Sequence, residues 1–247
     1  MVSNINLKVL ILDSDFYALQ SLNSYLAWDR RTRVVALAAD MVQAFDYIRR
    51  VAEPELPDVV LLEPDAFPNV EALRAAIHQF KEAIKDVMVI CMARKPDPHY
   101  ASAAVEAGVR GYMLRSDVRL HLASAIVYAL DRDLLVTQSI HSAATPAQAR
   151  LFHASVLPPE REYPEMTQRI RQAIWLCVVE GMPAQLAADE MGISPHTIRS
   201  YIKEGYRILE AHDDTNYPEE MGPLERAFMR FTALNDKDKD EDDTKQP

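Results

Sequence analysis

Over the first 130 residues, five short apolar runs alternate with five longer amphipathic stretches, and few fold classes accept that alternation. The runs are Lys8–Leu12, Arg33–Ala38, Asp58–Leu62, Val87–Met92 and Gly111–Leu114. All are bounded by polar residues and rich in Val, Ile and Leu, the pattern of strands buried on both faces. The helical stretches are Phe16–Trp28, Met41–Val51, Val70–Ile84, Pro98–Ala107 and Val118–Leu130. In the first, Leu19, Leu22 and Leu26 recur at helical spacing and make one buried stripe. The expected fold is a doubly wound α/β domain with a five-stranded parallel sheet. Such sheets place their sites at the carboxyl ends of the strands. Those ends carry Asp13, Ser14 and Asp15, then Glu63 and Asp65, then Met92 and Ala93, and last Arg115.

The character of the chain changes after this region. Residues 132–160 are rich in Ala, Ser and Pro and read as a linker, with a short helix at Pro146–His153 and a stiff stop at Pro158-Pro159. Residues 161–234 are helical in pattern. Residues 235–247 hold six acids, three lysines and no apolar side chain, the composition of an acidic disordered tail. The expected partition is therefore 1–131, 132–160, 161–234 and 235–247, which suits a 247-residue chain of two domains.

Composition excludes several function classes. The six glycines form no phosphate-binding loop, and Cys91 and Cys177 lie far apart, as in a chain of the reducing cytosol without disulfide or cysteine zinc site. No nucleophile–base pair converges, so no enzymatic activity, cofactor or metal is expected. No apolar stretch is long enough for a membrane, and Met1–Leu12 lacks a signal-peptide layout, so a cytoplasmic location is expected. The net charge of −10 argues against non-specific nucleic-acid binding; any contact must come from a local basic face.

Such a face is present in the second domain. Thr167 is the expected N-cap of a helix running to Glu180, with Ile170, Ile174, Leu176 and Val178 apolar, and Gly181 ends it. A short helix from Pro183 stops at Gly192. Ser194 then caps a longer helix through Leu209, with Pro195 at its first position. Short helix, Gly-containing turn and longer helix make a helix-turn-helix layout. In the last helix Ile198, Ile202, Tyr206 and Leu209 are expected to be buried. Ser194, His196, Thr197, Arg199, Ser200, Lys203 and Arg207 are left for a DNA major groove and its phosphates. Against this, residues 160–212 hold six basic and eight acidic side chains, net −2, and Gly205 in mid-helix costs about 1 kcal/mol relative to Ala. Binding by one copy should be weak and salt-sensitive, and a homodimer would double the contacts. Leu224, Ala227, Phe228, Phe231 and Leu234 form a stripe that either joins two copies or packs on its own domain.

Residues 7–130 resemble the receiver domain of bacterial two-component response regulators, most specifically in AVEAGVRGYMLRSDVRLHLASAI and LPDVVLLEPDAFPNV. The resemblance implies a phosphoacceptor pocket, but the matching positions are largely rewritten. Asp13 keeps the first acid and Ser14 replaces the second. Glu63 stands for the phosphoacceptor Asp, Met92 for the hydroxyl residue and Arg115 for the Lys. Tyr112 keeps the aromatic switch position. A methylene longer than Asp, Glu63 misplaces its oxygen, and Met92 offers no hydroxyl to a phosphoryl group. With one acid lost, Mg²⁺ binding by Asp13, Glu63 and Asp65 is not favoured. The domain reads as a pseudo-receiver in which Glu63 either pairs with Arg115 or is a plain loop-mouth acid. The stretch MTQRIRQAIWLCVVEGMPAQLAADEMGISPHTIRSYIKEGYRIL resembles the LuxR-type helix-turn-helix domain, strongest in GISPHTIRSYIK and departing from it at Pro183, Ala184, Leu186 and Gly205. Together these imply a response regulator of the NarL/LuxR type. It would be a transcription regulator that binds double-stranded DNA as a homodimer, is controlled without aspartyl phosphorylation, and has room for a partner protein or ligand at the receiver. The alternative is an adaptor that uses both domains for protein contacts and does not bind DNA.

Overall fold

The computed structural model describes residues 5–213 and 215–235; the acidic segment from residue 236 onward lies outside the described residues. The chain forms two compact units, Ile5–Pro158 and a second from Pro159 onward.

The first unit is an open parallel sheet with helices on both faces. Strands β1 (Leu7–Leu12), β2 (Thr32–Ala38), β3 (Val59–Leu62), β4 (Met88–Ala93) and β5 (Gly111–Leu114) follow the five apolar runs. Helices α1 (Phe16–Ala27), α2 (Met41–Arg50), α3 (Val70–Ala83) and α4 (Pro98–Glu106) alternate with them. Asp15, Asp40, Asn69 and Asp97 cap the four helices by accepting backbone N–H bonds in their first turns. Strands β3, β4 and β5 are buried along their whole length, which explains their unbroken apolar sequence.

Two expectations fail here. The last helix is not continuous: α5 (Arg115–Val118) ends at Arg119, with φ 46° and ψ −122°, and α6 (Leu122–Tyr128) follows after a 3₁₀ turn. More importantly, the sheet has seven strands in the order β2-β1-β3-β4-β5-β6-β7. The stretch read as a linker supplies β6 (Leu135–Val136) and β7 (Ser155–Val156), both parallel, with α7 (Gln138–Ala143) and α8 (Ala149–Phe152) between them. The short helix expected at Pro146–His153 is this α8. Two-residue strands leave no periodic signature, and they form because β5 offers a free edge: the Leu135 amide donates to the Arg110 carbonyl at 2.9 Å. Leu135, Val136, Ile140 and Leu151 are fully buried, each stabilising the annex by about 1.5–3 kcal/mol. Its tie to the sheet is polar as well: the buried Thr137 Oγ1 accepts the Leu114 amide at 3.0 Å.

The second unit consists of α9 (Gln168–Ile174), a π-helical turn at Trp175–Val179, α10 (Ala184–Met191), α11 (Pro195–Ala211) and α12 (Pro223–Phe231). Gly192 ends α10 with φ 64°, a left-handed conformation that favours glycine, and turns the chain into α11. The buried residues of α11 are Ile198, Gly205, Ile208 and Leu209. The expected stripe is thus rotated: Ile202 and Tyr206 are only half-buried. The reason is Gly205. A Cβ there would lie 2.5 Å from Ile174 Cγ1 and Cδ1, so α9 crosses α11 where the latter has no side chain. The stripe on α12 packs on its own domain: Ala227, Phe228 and Phe231 join Tyr163, Met166, Ile170, Ile174, Val178, Ile208 and Leu209 in one core, and Leu224 stays exposed.

Gly205→Ala should therefore destabilise the protein by about 1–3 kcal/mol, although Ala is the better helix former. Adding Ile174→Val should recover part of the loss. Chemical denaturation of the two variants measures this; an unchanged midpoint for Gly205→Ala would show that the helices do not meet so closely.

Candidate functional site

Two places gather the chemistry anticipated above. The first lies at the carboxyl ends of β1, β3, β4 and β5, where Asp13 and Glu63 are each 1% exposed. Glu63 follows β3, and its Oε2 accepts two bonds from Ser14: the amide at 2.9 Å and the hydroxyl at 2.7 Å. Its Oε1 accepts no hydrogen bond but lies 2.8 Å from the Arg94 guanidinium and 3.8 Å from that of Arg115. Arg115 pairs closely with Asp13 instead, and its Nε donates to the Met92 carbonyl at 3.0 Å. Asp13 Oδ1 accepts the Asp15 amide at 2.9 Å, and Asp65 Oδ2 accepts the Arg94 amide at 2.8 Å.

The structure thus brings Asp13, Ser14, Glu63 and Arg115 together but redistributes the expected ion pair. Arg115 belongs mainly to Asp13, and Glu63 to Ser14 and Arg94. Met92 takes part only through its carbonyl, its side chain being buried. Tyr112 is buried in the core beneath, and burial raises its hydroxyl pKa. Arg94 is the residue that sequence reasoning missed. It stands just past β4, next to the Met92–Ala93 end already singled out, but adjacency alone does not reveal its aim.

The two carboxylates titrate in opposite directions. Burial raises the pKa of Asp13, and the Asp15 amide and Arg115 only partly offset it. Burial also works against the Glu63 carboxylate, but the Ser14 bonds and the charges of Arg94 and Arg115 prevail and lower its pKa. These donors do not fit a divalent cation. The Asp13 oxygens are taken by a guanidinium and by the Asp15 amide and one Glu63 oxygen by Ser14, and among the described residues no three acidic, His or Cys side chains are grouped to hold a metal.

The second place is the outer face of α11. Ser194 Oγ accepts the Thr197 amide at 3.1 Å and lies 2.8 Å from Thr197 Oγ1, so both side chains serve the cap. The Ser200 hydroxyl donates to the His196 carbonyl at 3.2 Å. Arg207 is engaged by Glu204 at 2.6 Å, and Glu210 by Arg230 at 3.3 Å. His196, Arg199 and Lys203 are exposed, and neither Arg199 nor Lys203 has a carboxylate partner among the described residues. A further cation, Arg169, unremarked in the sequence, donates to the Met191 carbonyl at 3.2 Å and so sits beside the turn that leads into α11. Only the fold brings it there, since it belongs to α9.

The Sigma-70, region 4 family model matches residues 164–209, the segment that contains α9, α10 and nearly all of α11. The chain is similar to the transcriptional regulatory protein DesR of Bacillus subtilis, 24% identical over 204 residues, covering 83% of this chain and 90% of DesR. It is also similar to the oxygen regulatory protein NreC of Staphylococcus epidermidis, 28% identical over 124 residues, covering 49% of this chain and 55% of NreC. Among solved structures, RcsB from Salmonella enterica serovar Typhimurium bound to a promoter covers 91% of this chain and 98% of its own at 15% identity and a TM-score of 0.49. No helix among the described residues is long and apolar enough to cross a membrane.

The opposed pKa shifts give different stability dependences on pH. The Glu63 pKa is lower in the folded chain than in the unfolded one, so its stabilisation is complete above the ordinary glutamate value and is lost as pH falls through the folded value. The Asp13 pKa is higher in the folded chain, so its favourable contribution is complete at acid pH and is lost as pH rises through the folded value. Accordingly Glu63→Gln should cost about 1–3 kcal/mol at pH 7, by removing the charge that faces Arg94 and weakening the acceptor of the two Ser14 bonds, and less in acid. Asp13→Asn should cost less than Glu63→Gln at pH 7. Urea unfolding of both variants across the acid range checks the ranking; equal losses at pH 7 would contradict it.

Proposed function

We propose that the chain, which is similar to DesR over most of its length and to the Sigma-70, region 4 family over residues 164–209, is a response regulator of the NarL/LuxR type: a transcription regulator that binds double-stranded DNA through α11, acts as a homodimer, and is controlled without aspartyl phosphorylation. The observation that carries the DNA reading is the pair Arg199 and Lys203 on the N-terminal half of α11, exposed and unpaired, with the helix held from behind by Ile198, Gly205, Ile208 and Leu209. The N-terminal part of the second helix of a helix-turn-helix reaches base edges, while the first helix crosses the backbone. Arg169 at the turn suits the backbone role. His196 and Arg199 suit base edges, and Lys203 and Arg207 suit phosphates. Ser194, Thr197 and Ser200 support the reading indirectly, by fixing the start of the helix. The name of one relative agrees, since DesR is a transcriptional regulatory protein.

The pocket supports the second half of the proposal. Asp13 and Glu63 already hold Arg115 and Arg94, so a phosphoryl group would enter with no cation to spare and no hydroxyl at Met92 to bind it. A small phosphodonor with Mg²⁺ should leave no hydroxylamine-sensitive acyl phosphate on residues 5–158, as mass spectrometry can establish. A modified Glu63 would overturn this half of the reading.

Selection from a random duplex pool, followed by binding titrations, tests the DNA half. Arg199→Ala should weaken the selected site by about 1–3 kcal/mol and relax preference at one base position. Lys203→Ala should weaken all sequences alike and lower the salt slope by about one unit. Arg207→Ala should do less, because Arg207 must leave Glu204 to reach a phosphate. Folded variants that bind as tightly as the parent would transfer the function to protein contacts.

A further inference from the structure

The acidic segment that closes the sequence has a docking surface within the same unit. Asp236–Pro247 carries Asp236, Asp238, Asp240, Glu241, Asp242 and Asp243 against three lysines, with four acids consecutive. Its root is fixed on the second unit: the Asn235 amide donates to the Pro159 carbonyl at 2.8 Å, and Leu234 bridges to Glu160. The preceding helix α12 packs on α11.

Three observations select the occupant. Charge complementarity comes first. The other cations on and around α11 are engaged, Arg207 by Glu204, Arg161 and Arg230 by Asp213, and Arg230 also by Glu210. The cations of α11 itself left without a carboxylate are Arg199 and Lys203, one turn apart on an exposed face, with Arg169 at the turn before the helix bound only to a carbonyl. Reach comes second. Twelve residues span up to ~40 Å when extended, against a radius of gyration near 13 Å for a domain of about this size. The third is spacing. Consecutive acids on an extended chain recur about every 3.4 Å, close to the rise per phosphate along the axis for one DNA strand.

We propose that Asp236–Pro247 docks on the Arg199–Lys203 face of α11 and competes there with DNA. This rests on the reading of α11 as the DNA-binding helix. The segment imitates a short run of phosphates, tethered at a high effective concentration. Docking is electrostatic, so it is strong at low ionic strength and fades as salt screens it.

The experiment compares the full chain with a version ending at Asn235, in DNA titrations and in backbone amide NMR. Removing the segment should tighten DNA binding about three- to tenfold near 50 mM salt and less than about twofold near 300 mM. It should also shift the amides of residues 196–207. A synthetic peptide of Asp236–Pro247 added to the shortened protein should restore those shifts, and should fail to do so on Arg199→Ala/Lys203→Ala. Tighter binding without shifts on α11 would mean only a general repulsion of DNA by the acidic segment and would overturn the docking. Unchanged affinity and unchanged spectra would overturn it while leaving the DNA reading intact. Shifts on α11 with no DNA binding by either version would uphold the docking and reject the DNA reading.

Discussion

The sheet end is organised by the need to neutralise two buried carboxylates. An isolated buried ion costs several kcal/mol, and Asp13 and Glu63 lie side by side, which adds repulsion to desolvation. Arg115 answers Asp13, while Arg94 and the Ser14 amide and hydroxyl answer Glu63. The guanidinium of Arg115 is delivered by the first residue of α5, directly after β5, so its position depends on the last residue of that strand. The amide of that residue, Leu114, is held by Thr137 at the start of the annex, and Asp117 accepts both the amide and the hydroxyl of Ser139. One short segment therefore serves the ion pairs on one side and the annex on the other. Arg119, at its end, keeps a backbone conformation that costs about 1–3 kcal/mol, tolerated because both flanks are fixed.

That arrangement bears on chemistry as well as on stability. In a carboxylate site with free cations nearby, an incoming anion finds partners waiting. Here each cation is already engaged, so an anion has to displace a carboxylate whose own burial would then be uncompensated. A pocket with two acids and two guanidinium groups is balanced as folded, and adding or removing a single charge disturbs it more than exchanging both members of a pair.

The sequence made the core sheet legible because β1 to β5 are long enough, and buried enough, to write continuous apolar runs. It also showed which residues stand at the strand ends, since that follows from strand boundaries alone. It could not show the annex: Leu135–Val136 and Ser155–Val156 are strands only because an edge was waiting, and edge pairing leaves no trace in periodicity. Nor could it assign partners within the pocket. Arg94 and Arg115 are equally basic on paper, and only the directions in which they leave β4 and β5 decide which acid each one meets. On α11 the misplacement of the buried stripe has a single cause. A glycine counts as an absence in a hydrophobic pattern, whereas Gly205 is the point where Ile174 enters.

Charge balance separates the two candidate sites in kind. In the pocket, acids and guanidinium groups match, and both carboxylates and Arg115 are largely buried while Arg94 is exposed, so salt acts weakly on the Asp13–Arg115 pair and more on Arg94. On α11 the Glu204–Arg207 and Glu210–Arg230 pairs leave Arg199 and Lys203 over, in full contact with solvent. A surface cation of this sort gains little from a lone exposed carboxylate, because screening and side-chain entropy consume most of the attraction. It gains more from a polyanion, whose neighbouring charges add up and whose condensed counterions are released on contact. An excess of two positive charges on an otherwise acidic unit therefore discriminates by charge density more than by charge alone. The two ligands proposed for this face, duplex DNA and a run of acidic residues, are both dense anions of this kind.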